Sequence, residues 1–409
     1  MKKLTCMLCV VGSSAVASAN AFNINEHDAK VTGRGDTSAA TDTGPSSIVF
    51  NPGGIAVGEG TSFAIGGSLI AASGSYTLEG TTDKVNTTTD PAVVPALFVT
   101  SRVHEMISIG IGMHFPFGLA IAWPAGHPQQ DVIQEQQLRT YFITPSVGLN
   151  LDKQVPGLTL GAGVDIVPAT VELRQTILFG DATGTAHLGG DALGVGARFG
   201  AMYRPHALDQ LHLGVMYRSP VKLNFGGKAD FDIDNPQYRS QLPSDGDITT
   251  TITLPQSVVA GVGYDVTPEL QFELNMVWID WSVFDELRIN LPDDQQTVSP
   301  EKYHDTFSWR LGGEYALTQY KAAVRAGFIY DPSPIPAETL SAQLPDTDRK
   351  NITLGASKYF GNYGAHLGLL WVTPSERKTS DTMYMPQYKA TYGVQAFVAN
   401  VMFSGTFGN

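Results

Sequence analysis

The chain has 409 residues, 43% hydrophobic and only 16% charged, with 43 Gly and a net charge of −13. An acidic chain lacks the basic footprint of a nucleic-acid binder, and a 10% aromatic content argues against disorder. After residue 21 no run approaches the ~18 to 20 apolar residues of a spanning helix, so a helical membrane bundle is excluded too.

The first 21 residues read as a secretory signal. Lys2 and Lys3 form a basic start and Leu4 to Val16 a short apolar core. Ala17-Ser18-Ala19 and Ala19-Asn20-Ala21 both fit a small-x-small cleavage pattern. Cys6 and Cys9 would leave with this segment. The mature chain then has no disulfide, catalytic thiol or Cys-based metal site.

Residues 22–58 show no strand pattern. They run through Gly33-Arg34-Gly35, Ala39-Ala40, Gly44-Pro45 and Asn51-Pro52-Gly53-Gly54. Composition leaves two readings open, a linker or a small unit folded inside the remainder of the chain.

From residue 59 to the end, segments of about ten residues alternate large apolar with small or polar side chains, the period of a strand with two unlike faces. Leu193, Val195, Ala197, Phe199, Ala201 and Tyr203 alternate with Gly194, Gly196, Arg198, Gly200 and Met202. Leu270, Phe272, Leu274, Met276 and Trp278 alternate with Gln271, Glu273 and Asn275. Fourteen such segments start near residues 61, 92, 106, 137, 158, 191, 210, 249, 268, 304, 320, 350, 363 and 391. Long connections (77–91, 123–136, 177–190, 226–248, 291–303, 331–349, 374–390) alternate with short ones. An even strand number with alternating loop lengths predicts an all-β, 14-stranded antiparallel transmembrane barrel of the bacterial outer-membrane type. One face of each strand meets lipid. Asp165, Arg198, Arg218, Glu273, Arg310, Glu314 and Arg325 would face the lumen, where charges hydrate or pair. A solenoid would show a fixed repeat, and a sandwich does not require the loop alternation.

Several segments, in order, resemble the FadL family of outer-membrane transporters of long-chain fatty acids and other hydrophobic compounds. They are Ala21-Phe22-Asn23-Ile24-Asn25-Glu26; Asn51-Pro52; Phe115-Pro116-Phe117-Gly118-Leu119 with Trp123-Pro124; and Leu254-Pro255. Further on come Trp278-x-x-Trp281-Ser282-x-Phe284, Tyr303-x-Asp305, Tyr330-Asp331-Pro332-Ser333-Pro334-Ile335-Pro336-Ala337, and Leu344-Pro345-Asp346-Thr347-Asp348-Arg349. The chain departs at Gly53, where family members usually have Ala.

The resemblance implies that residues 22–58 are a hatch inside the barrel, with Asn51, Pro52 and Gly53 as its marked element. It implies a substrate carboxylate held by Arg174 and Arg288. Apolar capture loops would carry Leu178, Phe179, Phe225 and Phe231. A third strand kinked at Pro116, Phe117 and Gly118 would open sideways into the bilayer; proline, lacking a ladder donor, suits such a break. The implied partners are a long-chain fatty acid or another hydrophobic molecule, outer-membrane lipid and lipopolysaccharide, and the barrel assembly machinery. No cofactor, metal or nucleic acid is implied, and with no nucleotide-binding motif in the sequence passive, gradient-driven transport is the expectation.

The competing readings are a hydrocarbon channel of the same fold, a general porin and an outer-membrane lipase. No Gly-x-Ser-x-Gly elbow supports a lipase; His366 and Ser404 are isolated candidates. His104, His114 and His127 lack the spacing of metal ligands.

Overall fold

The computed structural model describes residues 21–381 and 384–408. The proposed signal segment, apart from Ala21, lies outside the described residues.

Fourteen strands form one antiparallel ring. They are β1 (Thr61–Leu78), β2 (Ala92–His104), β3 (Ile107–His114, resuming at Gly118–Ala122) and β4 (Glu135–Thr140, then Phe142–Asn150). Next are β5 (Leu158–Phe179), β6 (Ala182–Tyr203), β7 (Leu211–Arg218, then Val221–Ile233) and β8 (Gly246–Leu254, then Ser257–Asp265). The last are β9 (Leu270–Ile279), β10 (Thr306–Leu317), β11 (Ala322–Asp331), β12 (Arg349–Phe360), β13 (Tyr363–Lys378) and β14 (Ala390–Phe407). The ring closes where β1 pairs with β14 along its full length, from Thr61 opposite Phe407 to Leu78 opposite Ala390. At this seam closure leaves no lipid-exposed edge.

The alternation read from the sequence sorts the faces. Leu193 (68% exposed), Val195 (64%) and Phe199 point outward, whereas Asp165, Arg198 and Glu273 are buried. Near the short-turn end Phe63 stacks on Phe407 (ring centroids 5.7 Å apart) and Tyr363 on Phe403 (5.9 Å), an aromatic girdle for the lipid–water interface.

Two connections differ from expectation. The expected 226–248 connection is shortened because β7 continues to Ile233, paired with Gly184. The Gly/Asp-rich stretch after β5 is not a long loop: Phe179 pairs with Ala182, so only Gly180 and Asp181 form the turn. Gly184, Ala186 and Leu188 keep the period of two and their buried face, so this stretch extends β6 rather than interrupting it. A hairpin, Glu286–Asn290 with Gln296–Pro300, rises between β9 and β10, which pair directly below it.

Residues 22–58 lie within the ring. Helix α1 (Ala29–Gly33) is capped by Asp28, whose carboxylate accepts from the Lys30 (2.7 Å) and Val31 (3.3 Å) amides. Helix α2 (Ser47–Phe50) precedes a 3-10 turn at Pro52–Ala56, capped by Asn51 accepting from the Gly53 amide at 3.0 Å. The strand charges serve this segment. Glu273 accepts from the Ala40 amide (2.9 Å) and Asn275 from the Ser38 amide (3.0 Å). Arg198 pairs with Asp165 at 2.8 Å and donates to the Val49 carbonyl at 2.9 Å. Asn51 donates to the Ala201 carbonyl of β6 at 3.0 Å. Two strand glycines permit this approach: a Cβ on Gly312 would sit 1.8 Å from the Arg34 carbonyl oxygen, and one on Gly214 1.9 Å from that of Ala39.

Candidate functional site: a broken strand beside an apolar pocket

Strand β3 stops at His114 and resumes at Gly118. Pro116 has no N–H for a ladder, and the backbone here finds partners inside the ring. The Ile24 amide donates to the Pro116 carbonyl at 2.8 Å, and the Gly118 amide donates to the Phe22 carbonyl at 2.9 Å. Asn23 and Phe117 form an antiparallel bridge. The ladder between β2 and β3 ends at Leu97 opposite Met113 and is not continued past the break. The Phe117 ring is buried against Phe22 (6.0 Å) and Trp281 (6.3 Å), and the Arg218 guanidinium lies 4.6 Å from its centroid.

Phe22 also faces a cavity of about 100 Å³ formed by Leu119, Leu138, Val171, Leu173, Phe225, Ile252, Phe284, Leu287, Tyr303 and Leu344. Trp281, fully buried, packs edge-on to Phe22 at 4.8 Å, and Phe284 edge-on to Tyr303 at 5.0 Å. Outward lies a second space of about 500 Å³, walled by Leu173, Phe231, Leu287, Leu291, Thr339 and Tyr384. Leu173, Leu188, Leu287, Ile289, Glu301 and Gln343 border both spaces.

Two motif pairs build this mouth. Asp305 accepts from the Trp278 indole N–H (3.1 Å) and the Ser282 amide (3.2 Å), drawing the 280–305 excursion onto the ring. Ser333 donates from its amide to Asp348 (2.9 Å) and from its hydroxyl to Asp346 (2.7 Å), folding the 332–348 loop on itself. That loop is anchored by the Trp123 indole N–H donating to the Ala342 carbonyl at 2.9 Å, and it delivers Gln343 and Leu344 to the pocket.

The described lining of both spaces contains no Lys, Arg or His. Arg174 is exposed and shares the strand parity of the outward Val164 and Ile166; its neighbour Leu173 lines the pocket. Arg288 is likewise exposed beside the lining residue Leu287, paired with Glu286 at 2.7 Å and donating to Gln296 at 2.8 Å. Phe225 and Phe231 are strand residues that face the inner pocket and the outer space respectively. Phe179 stacks on Tyr238 at 4.9 Å, and Leu178 is exposed.

Glu301 has no counterpart in the sequence reading, since it lies in an excursion without periodicity. It is 6% exposed and takes a bond from the Ser299 hydroxyl at 3.2 Å. Burial pushes its carboxyl up to about 8, with the Ser299 bond offsetting this in part. Burial also raises the Tyr303 phenol, and the Glu301 and Asp346 charges add to this.

The fold and its occupied lumen define an outer-membrane β-barrel of the transport class. The family model described as "Outer membrane protein transport protein (OMPP1/FadL/TodX)" matches residues 10–407. A long-chain fatty acid transport protein of Escherichia coli (serotype O6:H1) is 26% identical over 383 residues, 83% of each chain. Outer membrane protein P1 of Haemophilus influenzae is 24% identical over 424 residues, 90% of this chain and 88% of that one. Among solved structures, a FadL homologue of Pseudomonas aeruginosa superposes with a TM-score of 0.84 at 17% identity, covering 95% of this chain and all (100%) of that one. The Pseudomonas putida toluene transporter TodX gives 0.76 at 17% identity, covering 95% and 100%.

The chain belongs to the FadL/TodX family of outer-membrane transport proteins. It is an outer-membrane transporter of hydrophobic compounds, and the family's members are passive channels rather than enzymes.

Proposed function

We propose that the protein takes hydrophobic molecules from the outer face, holds them in the apolar pocket and releases them sideways into the bilayer beside the break in β3. The observation that carries this reading is the double role of Phe22. Its ring walls the pocket, and its carbonyl accepts the Gly118 amide at the break. Residues 22–58 act as the hatch, and displacement of Phe22 to Ile24 connects the pocket with the gap. Leu173, Phe231 and Leu287 form the outer capture surface. An apolar cargo leaving through the wall avoids the charged lower lumen, where Arg198, Asp165 and Glu273 are engaged with the hatch.

A second cargo is a long-chain fatty acid held by Arg174 and Arg288, and the Escherichia coli relative, named for that substrate, favours it. Both guanidiniums would then have to turn in from their exposed positions. The test is uptake of labelled toluene, dodecane and dodecanoate by an outer-membrane strain lacking its own transporter, with and without this protein. Uptake of none of the three, or a large steady ion conductance in a planar bilayer, would favour a porin instead.

A further inference from the structure

Two carboxyls border the otherwise apolar inner pocket, the exposed Glu172 and the buried Glu301. Glu301 is a carboxyl on the shared boundary of the outer space and the inner pocket, so cargo moving between them passes it. Its backbone is pinned: the Glu301 amide donates to the Asp285 carbonyl at 2.8 Å, and the Thr339 hydroxyl donates to the Glu301 carbonyl at 2.8 Å. Its side chain has no basic partner among the described residues of either wall. The other ionisable groups on these walls are Glu172, Tyr303, Asp131, Glu338 and Tyr384, none of which carries positive charge. The Lys302 ammonium lies on the outer side, 4.9 Å from the centroid of the Tyr384 ring in the wall of the outer space, and does not line the inner pocket.

We propose that Glu301 determines the charge selectivity of the route, admitting uncharged hydrophobic molecules and turning away carboxylates. The inference rests on the pocket being the cargo site, as proposed above. A carboxylate passing this point into the inner pocket finds a second carboxyl and an apolar lining without Lys, Arg or His. At neutral pH the cargo either keeps its negative charge, buried without a cation, or takes up a proton at a cost that an uncharged molecule does not meet. An uncharged molecule leaves no such charge. If it bears a hydroxyl, ester or ketone, the protonated Glu301 carboxyl can donate a hydrogen bond to it. The residue thus favours one cargo class and penalises the other, which is how specificity arises as a difference between affinities.

The test uses the full chain reconstituted in phospholipid nanodiscs. Tryptophan emission is followed during titration with 1-dodecanol or sodium dodecanoate at pH 7, since Trp281 packs on Phe22 of the pocket wall. The wild type should bind the alcohol at least about tenfold more tightly than the carboxylate. Glu301→Arg should erase or invert that ratio by supplying the missing cation. Glu301→Gln, an isosteric control for folding, removes the competing carboxyl and should narrow the preference for the alcohol without inverting it. Equal binding of the two probes by the wild type, or an unmoved ratio in a folded Glu301→Arg protein, overturns the role of Glu301 alone. Binding of neither probe by any folded variant overturns the pocket as cargo site, and this inference with it. Discrimination in nanodiscs without uptake in cells leaves the Glu301 assignment standing and removes the transport route.

Discussion

The Ile24 amide hydrogen-bonds the Pro116 carbonyl at 2.8 Å, so the N-terminal segment supplies a backbone partner where the third strand of the wall is broken. A buried carbonyl needs such a partner, so moving the segment costs at least this bond and the neighbouring Gly118–Phe22 bond. If that movement is the gate, locking it should stop transport. Asn23 and Phe117 are bridge partners, a spacing that suits a disulfide. The double variant Asn23→Cys with Phe117→Cys should lose most uptake when oxidised and regain it on reduction. Undiminished uptake by the oxidised protein would separate the segment from gating.

The buried Arg198–Asp165 pair tests how the segment is held. Arg198 is 1% exposed and also donates to the Val49 and Ile48 carbonyls. Arg198→Ala strands a buried carboxylate and two carbonyls, and removing one partner of such a pair costs about 3–5 kcal/mol. Asp165→Asn should cost less, because an amide oxygen can still accept from Thr144, as Asp165 does at 2.6 Å. Urea unfolding in lipid vesicles should rank the variants in that order, and limited proteolysis near Ser47–Phe50 should appear first in Arg198→Ala.

Gly312 tests the occupancy of the lumen. Its missing Cβ leaves room for the Arg34 carbonyl, a backbone atom that cannot rotate away. Gly312→Val should leave the ring of strands assembled, because the outward face is untouched, while forcing the segment from the wall. The expected signature is a rise in ion conductance across planar bilayers with normal outer-membrane insertion. Unchanged conductance would mean that the segment can shift and still block the lumen.

The ring was legible in the sequence because each strand must satisfy two unlike solvents, and that requirement writes a period of two. Leu193 and Arg198 have opposite parity and opposite environments for this reason. The tight turn at Gly180-Asp181 was not legible, because a Gly/Asp run has the composition of a long loop whether or not its residues pair. The pocket was only half legible. Parity places Leu173, not Arg174, on the face shared with Val171, Ala169 and Val167, and that signal was present in the alternation of β5. Glu301 left no signal, since the 280–305 excursion has no period to read.

The same parity yields a direct comparison. Leu173→Asp and Leu287→Asp place a charge in the pocket wall and should each weaken binding of 1-dodecanol by about tenfold or more, given the cost of burying an unpaired carboxylate. Arg174→Gln with Arg288→Gln changes only exposed groups and should leave that binding within about twofold. Titration of the purified proteins decides between them. A large loss in the arginine double variant would bring those side chains into the site and restore a carboxylate cargo.

The last expectation concerns pH. The Glu301 carboxyl, pushed from 4.5 up to about 8 by burial, keeps its proton through neutrality when folded, whereas the same group in the unfolded chain ionises near 4.5. The folded state therefore binds the extra proton between these values, and stability falls as pH rises across that window, levelling above about 8. Binding should follow the folded-state titration: 1-dodecanol affinity holds steady up to about pH 8 and declines above it as the carboxylate forms next to the cargo. In Glu301→Gln both dependences should flatten, because the group that titrates has been removed. The burial-raised Tyr303 phenol, which feels the Glu301 charge, stays protonated over this range and supplies no competing transition. A decline above pH 8 that persists unchanged in Glu301→Gln would assign the titration to another group and detach the pH response from the selectivity residue.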